Sequence, residues 1–392
     1  MNIIPYGRHS IDEQDVREVT KALKSAWLTQ GPKVVQFEEA LARTTGAPYA
    51  AAVSNGTAAL HLAMMAIGLK PGDEIITSPI TFAASANCAL YAGAMARFVD
   101  IDDATYHMDL NRLKDFLKSP VRRKKIKAVV PVHFMGTVMD MRALQTICAP
   151  YGIKVIEDAA HALGAKYLDG KTWIPVGSCR HSDATIFSFH PIKHITTAEG
   201  GAVMTRDRSL YDAVRRFRHH GIVKNFPASG YLKPFHKEGW FYDIPQLGLN
   251  YRLTDLQSAL GTSQLKKLNV FVKRRWALVD VYNEAFRNIS QIRTPFEREG
   301  SQGSYHLYPI RVPAQERNHL YDHLKKNGIT AQVNYIPVHL LSCYQKLGYK
   351  FGDFPVAEKY FSQCLSLPLF PALSFRDQGR VIKTVKQFFG KN

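Results

Sequence analysis

The chain has 392 residues, 46% hydrophobic and 21% charged, which excludes a disordered polymer and fits one large domain with a smaller one beside it. No apolar run is long enough to span a bilayer, and residues 1–10 lack an apolar signal core, so a cytoplasmic chain with no membrane attachment is predicted. Fifty-one Lys+Arg against 33 Asp+Glu give a net charge of +18, which suits acidic partners: nucleic acid, anionic lipid or phosphorylated small molecules.

The first predicted element is a helix over 10–28, with Ser10 as its cap and Glu13 three residues on, as in a capping box. From about residue 50, short β-rich runs alternate with helical stretches, the pattern of an α/β sheet. Strands are predicted at 50–54, 74–77, 96–100, 128–133, 154–157, 184–189 and 201–205. The run Ala128-Val-Val-Pro-Val132 is almost continuously apolar, as in a strand buried on both faces. Its Pro131 predicts a place near an edge or at a bulge. After Leu265 a long basic helical stretch leads to predicted strands at 306–312 and 331–336, then to helices. This divides the chain into an N-terminal segment with a large domain (1–265) and a small C-terminal α/β domain (266–392).

The basic clusters Arg122-Arg123-Lys124-Lys125, Arg215-Arg216-Phe217-Arg218 and Lys273-Arg274-Arg275 are short and scattered. They read as solvated surface, and no RNP, zinc-finger or helix-turn-helix signature accompanies them. Cys88, Cys148, Cys179, Cys343 and Cys364 are odd in number and contain no CxxC pair, which predicts reduced structural thiols. His190 and His194 stand four apart, but Pro191 between them argues for a surface or loop pair over a helical zinc pair; no metal site is predicted. Gly164 and Gly170 before Lys171-Thr172 enclose five residues where a phosphate loop needs four. GxGxxG, HExxH and GxSxG motifs are absent from the sequence.

Four segments could carry chemistry. Ser54-Asn55-Gly56-Thr57-Ala58 turns from a buried strand into an apolar helix, where small residues let backbone N–H groups approach an anion and Thr57 adds a hydroxyl. An ordinary Ser/Asn helix cap explains the same residues. Asp158 and His161 follow the strand at 154–157, at the carboxyl end where open α/β sheets bind ligands. Asp158 could hold a cationic nitrogen there, or could simply accept backbone hydrogen bonds. Ile186-Phe-Ser188-Phe-His190-Pro-Ile-Lys193 runs from a strand into a loop with a lysine. A desolvated lysine loses proton affinity and attacks carbonyl carbon, whereas an exposed one is only surface. The turn Thr196-Thr-Ala-Glu-Gly200-Gly201 predicts that this loop is constrained. Phe82, beyond Pro79, could stack on a flat heterocycle or pack in the core.

The order NGTAAL, PITF, EDAAH, SFHPIK, TAEGGAV, LGLNYRLTD resembles the DegT/DnrJ/EryC1/StrS aminotransferases, the nucleotide-sugar branch of the fold-type I pyridoxal-phosphate (PLP) enzymes. The likeness runs from about residue 4 to the end. Ser10-Ile-Asp-Glu, Leu28-Thr-Gln-Gly-Pro32, Ser188-Phe-His-Pro-Ile-Lys193 and Asn334-Tyr335-Ile-Pro-Val-His339 look most like the pseudaminic-acid branch, which aminates a UDP-linked 4-keto-6-deoxy-N-acetylhexosamine. The resemblance implies a fold-type I α/β fold, with a large mixed, mostly parallel sheet and a smaller C-terminal α/β domain. It makes Lys193 the lysine that carries pyridoxal 5'-phosphate as a Schiff base, Asp158 the partner of its ring nitrogen, His161 a contact of its phenolic oxygen and Phe82 the stacking ring. Gly56, Thr57 and Ser188 would bind its phosphate, joined by Asn250 from the second subunit of a homodimer with shared sites. The implied reaction moves an amino group from L-glutamate to C4 of the UDP-4-keto sugar. Relatives that dehydrate sugars carry His in place of the lysine, so Lys193 favours transamination.

Two departures stand out against the resemblance. The basic insert near 223–240, with Lys233, His236 and Lys237, is longer than the family pattern, and Tyr106-His107-Met108 replaces an Asn followed by an aliphatic residue. The first bears on recognition of the sugar or diphosphate. The same chemistry on a bacillosamine, perosamine or aminoarabinose precursor is the near alternative. A basic nucleic-acid or membrane-surface binder on an inactive enzyme fold is the distant one, and Lys193, Asp158 and Asn250 together oppose it.

Overall fold

Nine strands account for the first half of the chain: β1 Tyr49–Val53, β2 Glu74–Thr77, β3 Met95–Phe98, β4 Ile126–Val130, β5 Lys154–Asp158, β6 Lys166–Asp169, β7 Thr172–Pro175, β8 Ala184–Ser188 and β9 Gly201–Thr205. The computed structural model describes residues 3–224, 226–227 and 230–390. Seven of these strands form one sheet in the order β1-β9-β8-β5-β4-β2-β3. Only β9 runs against its neighbours; β8, β5, β4, β2 and β3 are parallel. This is the mixed, mostly parallel sheet expected from the sequence.

Alternate residues of the strands feed opposite layers. Ala51, Val53, Ile75, Ala128, Val130, Ile156, Ile186 and Val203 pack with the helices Gly56–Ala66 and Ala84–Tyr91. Ala50, Ala52, Phe187, Ala202 and Met204 pack with Val34, Phe37 and Leu41 of the helix Pro32–Thr45. Ile76, Val129 and Val155 join Leu113 and Leu144 on helices nearer the β3 edge. Each fully buried Val, Ile or Phe contributes about 1.5–3 kcal/mol, and the helices cover both faces as a parallel sheet requires. The C-terminal region has its own core, in which Leu278, Tyr282 and Phe286 of the helix Leu268–Phe286 pack with Ile310 and Leu365. Those two residues lie on a two-stranded sheet that follows β10 (Ser301–Gln302), namely β11 (Tyr308–Arg311) paired with β12 (Cys364–Leu367).

Several expectations change. The first helix is Glu13–Leu23, and its cap is Asp12, whose carboxylate accepts from the Gln14 and Asp15 N–H groups while Asp15 closes the box. Ser10 instead offers its carbonyl to Gln264. The helix stops where the Ser25 hydroxyl donates to the Ala22 carbonyl, a local bond that competes with the helical ladder. Pro131 is neither at an edge nor in a bulge: β4 lies between β5 and β2, and the strand ends at Val130, one residue earlier. The Pro131 carbonyl then accepts from the Asp158 N–H, and since the ladder of β4 has ended, no strand hydrogen bond needs the N–H that proline lacks. Residues 331–336 form no strand, making only the bridge Gln332–Ser366, and β12 takes that place in the sheet. Arg275 is not solvated surface but fully buried, and His194 is buried too.

The division near residue 265 is a proposal. Leu268 and Val272 belong to the large-domain core, the C-terminal half of the same helix to the other, and Ile4 packs with the C-terminal core. The insert at 223–240 lies partly outside the described residues; Lys233, His236 and Lys237 are exposed. All five cysteines are free, four of them buried. Among the described residues no helix is long and apolar enough to cross a membrane, and no cluster of His, Cys, Asp or Glu has metal-binding geometry.

Candidate active site

At the carboxyl ends of β1, β2, β5 and β8 the chain turns away and leaves a cleft of about 1040 Å³. Asn55, Gly56, Thr57, Phe82, Asp158, His161, Ser188 and Lys193 all line it. The expected site residues of one chain therefore meet, and each does so for a local reason.

Asn55 caps the helix Gly56–Ala66, its Oδ1 accepting from Ala58 N–H at 2.8 Å. The segment is a cap and a cleft wall at once, so the two sequence readings are compatible. The first turn of any helix leaves N–H groups without intrahelical partners, and here they face the cleft beside the Thr57 and Ser188 hydroxyls. A Cβ on Gly56 would stand 2.9 Å from the Ser188 Cβ, so only glycine lets the helix approach β8 this closely.

Asp158 ends β5, buried, and both its oxygens are engaged. The Ser85 Oγ donates to Oδ2 at 2.5 Å and the Ala160 N–H to Oδ1 at 3.1 Å. Thr81 lies 2.6 Å from Ser85, hydroxyl to hydroxyl, which fixes that donor in turn. Phe82 is 60% exposed, so it is not core. An aromatic ring of that exposure on a cleft wall is available for a flat ligand.

Lys193 ends a turn closed by its own N–H to the His190 carbonyl at 2.9 Å. Phe189 pins the loop by bonds to Gly200 and Thr197, the constraint expected from the sequence. The lysine is half-buried, and removal from water pushes its pKa down to about 7 although the nearby Asp158 charge raises it. Its amine is therefore substantially uncharged at neutral pH. His161 is held well below the usual imidazole value by burial and then by the Lys193 charge; it lies 3.1 Å from the Tyr335 hydroxyl through Nε2.

Asn250 is exposed, held by an antiparallel bridge to His219, and does not line the cleft, although its neighbour Tyr251 does. Sequence reasoning missed the groups that the C-terminal region contributes. Tyr335 entered only as part of a motif, and Tyr6, Gln332 and Asn334 also line the cleft, with the Tyr6 hydroxyl donating to Asn334 Oδ1 at 2.9 Å. Ser85 was missed as well; its signal was a hydroxyl four residues after Thr81 in the turn that carries Phe82.

A largely parallel sheet that presents a lysine of lowered proton affinity and an anchored carboxylate at its strand ends is an α/β scaffold suited to a ligand with a carbonyl group. The chain belongs to the DegT/DnrJ/EryC1/StrS aminotransferase family, whose model matches residues 9–386. It is 39% identical to the spore coat polysaccharide biosynthesis protein SpsC of Bacillus subtilis, over 98% of this chain and 97% of that one. To the UDP-4-amino-4,6-dideoxy-N-acetyl-beta-L-altrosamine transaminase of Campylobacter jejuni it is 36% identical, over 96% and 94%. The structure of Helicobacter pylori PseC, an aminotransferase of pseudaminic acid biosynthesis, superposes with a TM-score of 0.89 at 30% identity, covering 99% of this chain and all of that one. The protein is accordingly a PLP-dependent aminotransferase of nucleotide sugars. Its residues fit the cofactor: the exposed Phe82 ring, the Gly56–Ser188 approach that a side chain would fill, and a free amine of low proton affinity.

Proposed function

We propose that the protein moves the amino group of L-glutamate to C4 of a UDP-linked 4-keto-6-deoxy-N-acetylhexosamine, in the cytoplasm, as a homodimer on the way to pseudaminic acid. The observation that carries the reading is the meeting of Lys193, Asp158 and exposed Phe82 around one cleft. The names of the Campylobacter and Helicobacter relatives support the choice of sugar.

When bound, PLP supplies an electron-withdrawing ring that stabilises negative charge at the reacting carbon. Phe82 would stack on that ring, and the Asp158 carboxylate, aimed by Ser85 and Ala160, would hold a proton at its nitrogen. The first-turn amides of Gly56 and Thr57 and the hydroxyls of Thr57 and Ser188 would take the phosphate, with Asn250 of the second subunit. His161 would contact the phenolic oxygen. Lys193 would hold the cofactor, and its amine would move the proton at the α-carbon of glutamate and then at C4 of the sugar.

Purified protein should be yellow. Borohydride treatment and peptide mapping should place the reduced cofactor on Lys193, and Lys193→Ala should give neither adduct nor turnover. An adduct on another lysine would overturn the site assignment. A panel of nucleotide-linked 4-keto sugars with glutamate tests the substrate; faster amination of a GDP- or dTDP-linked sugar, or of a UDP-linked pentose, would overturn that choice alone.

The charge of +18 should steer the substrate diphosphate. The sequence offers Lys33, Lys233 and Lys237 as candidates for that steering, but none of them lines the cleft, so steering is assigned to the overall field of the protein. Raising ionic strength from about 0.01 to 0.15 M shortens the screening length from about 30 to 8 Å, and kcat/KM should fall accordingly. Duplex DNA should bind weakly and without sequence preference; tight, sequence-selective binding would refute the reading.

A further inference from the structure

Lys193 Nζ has a partner that comes from far along the chain: His306 Nε2, 3.3 Å away. His306 lies on the segment just before β11, and the segment is fastened from three sides. The N–H groups of Ser304 and His306 donate to the carbonyls of Gly136 and Met135, at 2.9 and 2.7 Å. Arg275, fully buried on the helix Leu268–Phe286, donates to the carbonyls of Tyr305, His306 and Leu369. His194, next to the lysine itself, lies 3.2 Å from the Ser304 carbonyl through Nε2. Gly136 has φ +93°, and a Cβ there would overlap the His161 carbonyl and stand 2.8 Å from the His306 nitrogen. The His306 ring also packs on His161, with centroids 4.4 Å apart. These restraints fix the backbone that carries the imidazole; the ring itself is placed by the lysine and by the His161 ring, and its Nδ1 is buried without a hydrogen-bond partner.

The charges around the pair decide which way the hydrogen bond runs. Lys193 is faced by Asp158 from β5, His161 just beyond it, His190 and His194 from its own loop, Arg275 from the helix and His306. Asp158 is the one acid that acts on Lys193 directly, while Glu199 acts on His190; against the two strong bases Lys193 and Arg275, further positive charge beside the lysine is costly. Burial, followed by the Lys193 charge, holds His306 well below the ordinary imidazole value. A neutral imidazole beside an amine that is becoming an ammonium acts as the acceptor.

We propose that His306 is a positioning residue for proton transfer: it accepts a hydrogen bond from Lys193 Nζ and stabilises the ammonium that forms when the lysine takes a proton from the substrate. The substrate C–H bond breaks in this step, its electron pair staying with the carbon, where a bound PLP ring would withdraw it. One proton joins Nζ, His306 Nε2 accepts one N–H, and the same proton is later returned to carbon. The C-terminal region would thereby set the proton affinity of a lysine carried by the large domain. The inference rests on the assignment of Lys193 as the reactive lysine, which borohydride mapping tests separately.

The test uses full-length protein freed of cofactor and needs no turnover. Competitive acetylation with acetic anhydride across pH, read on the Lys193 peptide by mass spectrometry, gives the midpoint of the amine. A hydrogen bond to the charged form favours that form, so His306→Leu should lower the midpoint by about one pH unit, a tenfold loss of proton affinity. His306→Gln, whose amide oxygen still accepts, should keep the midpoint near that of the parent. An unchanged or raised midpoint in the leucine variant overturns the proposal, and so does an equal fall in both variants, which would mark a packing effect. If the leucine variant does not fold, Lys193→Met in protein with ¹⁵N-labelled histidine gives the reading from the other side. Loss of the N–H donor should shift one buried Nε2 resonance, and an unmoved spectrum overturns the proposal.

Discussion

Asp158→Asn should fold and bind PLP yet lose turnover about 100-fold or more, about 3 kcal/mol of barrier. The fold survives because the amide fits the same bonds: its oxygen can still accept from Ala160 N–H, and its NH₂ can donate to the Ser85 oxygen, which now turns its own proton elsewhere. The loss follows because a neutral amide does not keep a proton on the cofactor's ring nitrogen, and the electron sink weakens while its shape is kept. Steady-state kinetics with glutamate and the keto sugar, beside cofactor content from absorbance, make the measurement. Near-normal turnover in a fully loaded variant would mean that the ring nitrogen is held by some other group.

That prediction could be written from the sequence; the bonds that make it safe could not. Asp158 was legible because the short strand run Lys154-Val-Ile-Glu157 leads straight into an acid, and strand ends are where an α/β sheet presents ligands. Ser85 was not, because it stands 73 positions away and meets Asp158 only when β2 and β5 share a sheet. Lys193 shows the same split. By itself it read as surface, and the ordered set of motifs, not its own neighbourhood, singled it out. Its side-chain partner, His306, stands 113 positions along the chain. Phe82 had to be weighed as core because single aromatic residues usually are; only the folded chain shows that ring open to the cleft. The misplaced first helix cap had a different cause. Ser10 and Asp12 are both good caps, and the choice fell to Asp15, which closes a box with Asp12 and accepts from Gln264. Local pattern thus located the sheet and its functional end, while contacts between distant segments, which no window of sequence contains, built the rest of the site.

Asn250 gives the second large effect, because an inactive protein and an impaired one should restore activity when mixed. It is exposed and away from its own cleft, whereas the resemblance assigns its amide to the cofactor phosphate of a second subunit. In a two-fold dimer each site would then use Lys193 from one chain and Asn250 from the other. Lys193→Ala chains mixed with Asn250→Ala chains, after dissociation and reassociation, form mixed dimers in which one site carries both defects and the other carries none. Random pairing makes about half the dimers mixed, so about a quarter of all sites should recover. The signal is measured against the Asn250→Ala protein alone. One phosphate hydrogen bond to a charged group is worth about 1.5–3 kcal/mol, or roughly 10- to 150-fold in cofactor affinity, so the assay should run at limiting PLP, where that loss is felt. Mass photometry or differently tagged chains verify the mixing. Activity no higher than the average of the two parents in verified mixed dimers would place Asn250 in the service of its own subunit, and the shared site would have to be abandoned.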